Sequence, residues 1–371
     1  THHRLAAGAV TGVTRRCRRL RGVVALAAVL GLMAGLSVTA IVEAGQQDWH
    51  WKNATVVDDA DGTDVVDPSD AADGVTTLVE VVAQIGADDM WAAGYTGEGV
   101  DVAVIDTGIA PVDELSTTDV FVGPDLSFEG GIDAVAGLDT YGHGTHMIGI
   151  IAGSTPGADP ANPQPGEFLG VAPDAGIVSV KVADNTGAVD VSQVIAAIDW
   201  VVQNRNTGDL NIRVLNLAYN TDSDQHYVDD PLSKAVENAW DHGIVVVVSA
   251  GNEGRSVWNL ASPATNPHIL AVSSAELSSW GYWGQPKWVP KGRIRNPDVV
   301  APGVSIASLR VPGSRIDSEH PEGRIAGDDR LFLGSGTSQS TAVVSGAAAL
   351  LLDQRPELTP DQVKGLLSDT A

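Results

Sequence analysis

Residues 100–108 read VDVAVIDTG, an almost uncharged apolar run that ends in an acid and a Thr-Gly turn signal. Valine and isoleucine favour strands, and a run of this kind is typical of a strand that is buried on both faces. Similar runs occur at residues 177–182, 214–217, 244–249 and 269–273. They predict several parallel strands of one central sheet.

Amphipathic helical patterns separate these strands. Apolar residues recur at helical spacing over residues 191–202, after Asp190, and Gln193 completes a capping box. A second helical stretch ends before Gly243, and a third begins at Pro360. The alternation predicts an α/β fold, with a doubly wound, mostly parallel central sheet and helices on both faces. In such folds the functional site lies at the carboxyl ends of the strands.

Composition bounds the function classes. With 371 residues, of which 43% are hydrophobic, the chain can bury a large core. A formal net charge of -25 disfavours binding to nucleic acid or to anionic lipid. Cys17 is the single cysteine, so the chain forms no internal disulfide.

The N-terminal part is typical of a targeting segment. Arginines precede an uncharged run at residues 22–42, and small-residue cleavage patterns end at Ala40 or Ala44. The run is also long enough to span a bilayer, so an uncleaved anchor is the alternative to a cleaved signal peptide. We therefore expect a leader at residues 1–44, an acidic flexible linker at residues 45–76 and a single folded domain at residues 77–371.

Four short segments carry an acid, an imidazole, an amide and a hydroxyl. The residues, in chain order, are Asp106, His143, Asn252 and Ser338. Asp106 and Asn252 follow predicted strands, whereas His143 and Ser338 open predicted helices. Together these groups are the parts that an enzyme needs to attack a carbonyl through an activated serine.

Each residue also has an ordinary structural interpretation. An acid after a strand is a common turn residue, and so is an asparagine between glycines. A serine at a helix start is a common N-cap. His146, three residues after His143, is interpreted as a packing or hydrogen-bonding histidine, because no third metal ligand accompanies it. The joint occurrence of the four segments favours hydrolysis of a peptide bond.

The chain resembles the subtilisin-like serine peptidases from about residue 85 to residue 371. The segments that carry the resemblance are residues 102–108, 143–146, 170–173, 180–182, 249–254, 296–303 and 336–340. The resemblance implies that Asp106, His143 and Ser338 are acid, base and nucleophile, and that Asn252 donates to the oxyanion. It implies a serine endopeptidase that forms an acyl-enzyme and requires no cofactor.

The resemblance also implies where a substrate binds. The walls of the primary specificity pocket comprise Ala218, Tyr219, Asn220, Ala250 and Gly251. The opposite substrate-pairing edge comprises Thr186, Gly187 and Ala188. The family usually has glycine where this chain has Asn220, which we expect to narrow or polarise the pocket. Gln339 and Ala342 replace the usual methionine and proline after the nucleophile.

The remaining expectations concern partners, metals and location. Protein or peptide substrates are expected, with no nucleic acid, and with a membrane only if residues 22–42 stay as an anchor of an exported protein. The acidic stretches 159–167 and 222–230 could hold a structural calcium ion, although solvated loop acids have the same pattern. One rival function is a catalytically silent binding or scaffold protein, its pocket blocked by Tyr219 or Asn220. Another is a ligase-like acyl transferase.

Overall fold

The computed structural model describes residues 74–223, 225–252, 260–275 and 295–370, together with the backbone of a short strand at residues 47–48. Its strands, in chain order, are β1 (Gln47–Asp48), β2 (Asp101–Asp106), β3 (Val120–Asp125), β4 (Gly176–Lys181), β5 (Ala188–Val189), β6 (Ile212–Leu217), β7 (Val245–Ser249), β8 (Leu270–Ala275), β9 (Val299–Pro302), β10 (Ile306–Leu309) and β11 (Leu331–Gly334). Seven of them form one sheet in the order β3-β4-β2-β6-β7-β8-β9, and every neighbouring pair is parallel.

The helices, in chain order, are α1 (Leu78–Gln84), α2 (Ala87–Ala92), α3 (His143–Ala152), α4 (Val191–Asn204), α5 (Pro231–Asp241), α6 (Arg315–Glu319), α7 (Thr337–Gln354) and α8 (Pro360–Thr370). Single 3-10 turns lie at Asp113–Leu115 and Pro321–Gly323. The predicted capping box of α4 is present, with Asp190 and Gln193 as its two partners. The predicted end of α5 is also observed, since Gly243 follows it with a φ of 85°.

The central sheet is buried because its strands are apolar on both faces. Every residue of β4 and of β7 is buried. Helices α3 and α7 pack on each other and on the sheet, while α4 and α5 form a second such pair. Strand β7 contacts both α7 and α5, so the two helix pairs cover the two faces. The predicted α/β fold class is therefore confirmed.

The five predicted strands are all present, with shifts of one or two residues at their ends. Two strands of the sheet were not predicted, β3 and β9. Strand β3 contains Gly123 and Pro124, which weaken a strand pattern. It lies at the edge of the sheet, where proline is tolerated because one side of the strand needs no ladder hydrogen bonds.

The segment before the domain is described only in part. The predicted leader and most of the predicted linker lie outside the described residues. Strand β1 pairs antiparallel with β5, and the Thr76 amide donates to the Ser305 carbonyl at 2.9 Å. The described residues belong to one compact unit, residues 44–371. None of the helices within these residues has the length and apolar character needed to cross a bilayer.

Candidate active site

Asp106 is the last residue of β2, an interior strand of the sheet. Its carboxylate is 1% exposed, and both of its oxygens contact Nδ1 of His143, at 2.8 and 2.9 Å. The Thr107 amide donates to Oδ1 of Asp106 at 2.7 Å. A carboxylate held in this way fixes the imidazole with its proton on Nδ1, which leaves Nε2 as a proton acceptor.

His143 reaches Asp106 because it is the first residue of α3. The preceding Gly142 has a φ of 110°, a value that favours glycine. The following Gly144 is equally constrained, since a Cβ there would collide with the backbone oxygen of Gly108. The two glycines thus bring the start of α3 against the turn after β2, and His143 is itself buried.

Ser338 is the second residue of α7, the helix that packs on α3. The N-cap of α7 is Gly336, so the interpretation of Ser338 as an ordinary N-cap is wrong. Its side chain is half-buried, whereas Thr337 and Gln339 on either side of it are buried. A hydroxyl at the start of a helix lies where the backbone N–H groups and the helix dipole favour negative charge.

Asn252 is exposed and lies beside the start of α7. Its Oδ1 accepts hydrogen bonds from the backbone N–H and the hydroxyl of Thr337, at 2.9 and 3.0 Å. The carbonyl end of the amide therefore faces the helix, and Nδ2 is the end that can donate to another acceptor. This is the orientation that an oxyanion donor needs.

The predicted pocket segments follow neighbouring strands, so they meet at one edge of the sheet. Ala218 and Tyr219 directly follow β6 and are buried, and burial raises the pKa of the Tyr219 phenol. The side-chain amide of Asn220 donates to the hydroxyl of Ser249 at 3.0 Å, and Ser249 is the last residue of β7. Ala250 is buried, and Gly251 has a φ of 105°.

The predicted substrate-pairing edge is a tight turn followed by a strand. The Asp184 carboxylate accepts hydrogen bonds from the backbone amides of Thr186 and Ala188, at 2.8 and 3.1 Å. Gly187 between them has a φ of 80°. Ala188 then opens β5, whose backbone pairs with the extended residues of β1.

Several acids in the stretches proposed for calcium accept hydrogen bonds from nearby backbone amides. Asp159 accepts from the Ala161 amide at 3.0 Å, and Glu167 accepts from the Gln164 amide at 2.7 Å. Asp230 is the N-cap of α5. Within the part of the chain that the structure describes, no three His, Cys, Asp or Glu side chains converge on a point where a metal ion would bind. Structural calcium stays a prediction.

Sequence reasoning missed two buried charged residues near Asp106. Lys181, at the end of β4, lies opposite Asp106 in the sheet register and is 1% exposed. The sequence feature that could have revealed Lys181 is a single charged residue in an otherwise apolar strand. Asp139 is 3% exposed and binds the start of α3. Its signal was an acid just before the glycine-flanked His143.

His146 lies in α3 and is 2% exposed, which agrees with the packing interpretation. Burial lowers the pKa of His146 to about 3, and the electrostatic interaction with the neighbouring His143 acts in the same direction.

This histidine predicts a dependence of stability on pH. An unfolded chain protonates it near pH 6.5, whereas the folded chain does so only near pH 3. Between these values the unfolded state binds more protons, so acid destabilises the fold by up to about 1.4 kcal/mol per pH unit. The free energy of unfolding, measured with urea at several pH values, should depend less on pH in His146→Gln than in the parent chain. An equal dependence on pH in the two proteins would contradict the prediction.

Comparison with known proteins identifies the family of this chain. The model of the Subtilase family matches residues 97–371. Serine protease AprX of Bacillus subtilis (strain 168) is 36% identical over 74% of this chain and 61% of its own length. Subtilisin E of the same strain is 34% identical over 78% of this chain and 65% of its own length. The chain thus spans less than two thirds of the length of these two relatives.

The same likeness holds in three dimensions. The crystal structure of a cold adapted subtilisin-like serine proteinase has a TM-score of 0.54 and 29% sequence identity, over 75% of this chain and 84% of that one. The family model covers most of the domain that carries Asp106, His143, Asn252 and Ser338. This chain belongs to the subtilase family.

Proposed function

We propose that this protein is a serine endopeptidase that hydrolyses peptide bonds through Asp106, His143 and Ser338. The observation that carries the proposal is the buried contact between both oxygens of Asp106 and Nδ1 of His143, at 2.8 and 2.9 Å. The packing of α3 on α7, each with its candidate residue at the helix start, supports the third member.

In the proposed reaction, Ser338 Oγ attacks the carbonyl carbon while His143 Nε2 takes its proton. Asp106 holds the ring and stabilises its charged form. The tetrahedral adduct collapses as His143 returns the proton to the leaving amine, which breaks the C–N bond and leaves an acyl-enzyme. Water then attacks the carbonyl carbon of the acyl-enzyme while His143 takes its proton. The bond to Ser338 Oγ breaks as His143 returns the proton to that oxygen, and the acid is released.

The oxyanion of the adduct would be stabilised by two donors. One is Nδ2 of Asn252, and the other is the backbone N–H of Ser338 in the first turn of α7. The fixed Oδ1 of Asn252 means that this donor needs little reorganisation when charge develops, which is the condition for effective electrostatic catalysis.

Substrate binding would use the edge formed by Thr186, Gly187 and Ala188. The pairing of β5 with β1 supports this role, because it is the kind of backbone addition that extended peptides make. The side-chain amide of Asn220 is held by its hydrogen bond to Ser249, so Asn220 would form a fixed polar part of the pocket wall. Tyr219 is packed in the core, which disfavours the blocked-pocket scaffold.

A fluorophosphonate probe tests the proposal. It should label Ser338 in the parent chain and fail to label Ser338→Ala. Absence of labelling in folded protein would favour the scaffold function. Product analysis with an added amine separates the remaining alternative, because a ligase-like enzyme would yield the amide in preference to the acid.

We further infer that the protein is exported, since an acidic peptidase behind an arginine-led apolar leader suits secretion. Sequencing the N-terminus of secreted material separates a cleaved leader from an anchor at residues 22–42.

Resistance to oxidation follows from the residue after the nucleophile. Gln339 is 1% exposed and has no thioether to oxidise beside Ser338. We expect activity to survive mild peroxide, whereas the matched variant Gln339→Met should lose activity under the same treatment. Rapid loss in the parent chain, with modification mapped near Ser338 by mass spectrometry, would refute the prediction.

A further inference from the structure

A buried carboxylate holds the start of α3. Oδ1 of Asp139 accepts from the Gly142 amide at 2.6 Å, and Oδ2 accepts from the Thr145 amide at 2.8 Å. The first N–H groups of a helix have no partner within the helix. Gly142 is the N-cap and offers no side chain. Asp139 therefore supplies the cap from outside the helix, on both sides of His143.

The same carboxylate is joined to the strand that carries Asp106. The Thr107 hydroxyl donates to Oδ1 of Asp139 at 2.7 Å and accepts from the Gly144 amide at 2.8 Å. The backbone amide of Thr107 donates to Asp106. A continuous set of short hydrogen bonds thus connects the carboxylate of Asp106, the strand end and the first turn of α3.

We propose that Asp139 is a positioning residue that fixes the distance between Asp106 and His143; this rests on the proposed function. It lies behind the pair and acts through Thr107 and the start of α3. The three donors that meet its two oxygens need a carboxylate, since an amide has one acceptor atom and one donor group. In Asp139→Asn, whichever way the amide turns, at least one backbone N–H at the helix start faces another donor.

The size of the effect follows from the demands of proton transfer. A displacement of about 1 Å in a reacting group can cost on the order of 10²-fold in rate. We expect Asp139→Asn to lower kcat by about this factor and to leave KM unchanged, because substrate binds elsewhere. Thr107→Val should have the same signature, and Thr107→Ser should restore the parent kcat, since it keeps the hydroxyl.

The chain offers a matched control. Asp230 is also 3% exposed, caps α5 through the Leu232 and Ser233 amides, and accepts from the Ser262 hydroxyl. A role in helix capping alone would give Asp139→Asn and Asp230→Asn the same loss of melting temperature and the parent kcat per active site. The proposal expects the fall in kcat only in Asp139→Asn.

The experiment measures kcat and KM per fluorophosphonate-titrated site, together with the downfield proton resonance of Nδ1–H in His143. A shifted or broadened resonance with lowered kcat supports the proposal. Parent values in folded Asp139→Asn overturn it, and Thr107→Val decides if Asp139→Asn does not fold. If the parent chain neither hydrolyses peptides nor takes the label, the proposed function fails, while the resonance still reports whether Asp139 sets the contact.

Discussion

Replacing Ser338 by alanine is expected to lower kcat for peptide hydrolysis by about 10⁶-fold, the loss known for this substitution in subtilisin itself. His143→Ala should cost about as much, because an unactivated hydroxyl is a poor nucleophile at neutral pH. The double variant should be no slower than either single variant, since the two residues act as a unit. Steady-state kinetics on a peptide substrate measures all three.

A serine of the same helix provides the control. Ser340 is fully buried and donates to the Ala301 carbonyl at 2.9 Å. Ser340→Ala should keep the parent kcat and lose about 1 kcal/mol of unfolding free energy. Independent, multiplicative losses in the double variant Ser338→Ala, His143→Ala would contradict the proposed mechanism.

Replacing Lys181 by methionine is expected to lower the free energy of unfolding by about 3–5 kcal/mol, the usual cost of removing one partner of a buried ion pair. Lys181 Nζ lies 2.9 Å from the Glu129 carboxylate and donates to the carbonyls of Thr107 and Leu138, at 3.0 and 2.7 Å. Without the ammonium group, Glu129, 12% exposed, keeps a charge that no cation balances, and the two carbonyls lose their donor.

Urea unfolding measures the effect, and a second lysine calibrates it. Lys234 pairs with Glu237 at 3.2 Å but is 51% exposed, so Lys234→Met should cost below about 1 kcal/mol. Adding Glu129→Gln to Lys181→Met should recover part of the loss, because it removes the unpaired charge. Equal costs for the two lysine variants would show that Lys181 contributes no more than a surface pair.

Local sequence patterns were sufficient for five of the seven strands of the central sheet. The apolar run before Asp106 and the run before Asn252 predict buried strands, because burial on both faces leaves few alternatives to valine and isoleucine. The capping pair Asp190 and Gln193 predicts the start of α4 for a similarly local reason. The edge strand β3 gives no such signal, since none of its six residues is fully buried and Pro124 interrupts it.

The supporting contacts of the site could not be predicted, because they join distant segments. Asp139 and Thr107 are brought together only by the path of the loop between them, and no spacing rule encodes that path. Sequence reasoning placed Ser338 correctly at a helix start and predicted it as the nucleophile, a role that stays a proposal. In the structure the N-cap of α7 is Gly336, and the first residue of the helix, Thr337, donates to Oδ1 of Asn252, 85 positions away.

The short strand β5 has a consequence for which proteins the proposed peptidase would digest. A chain that docks there in place of β1 must expose its main-chain donors and acceptors, so helices and internal sheet segments of native proteins are shielded from it. Because β5 is two residues long, a brief straightened stretch is enough. Flexible termini and surface loops would be cleaved first, and the cleaved protein would then unfold and be degraded to small fragments.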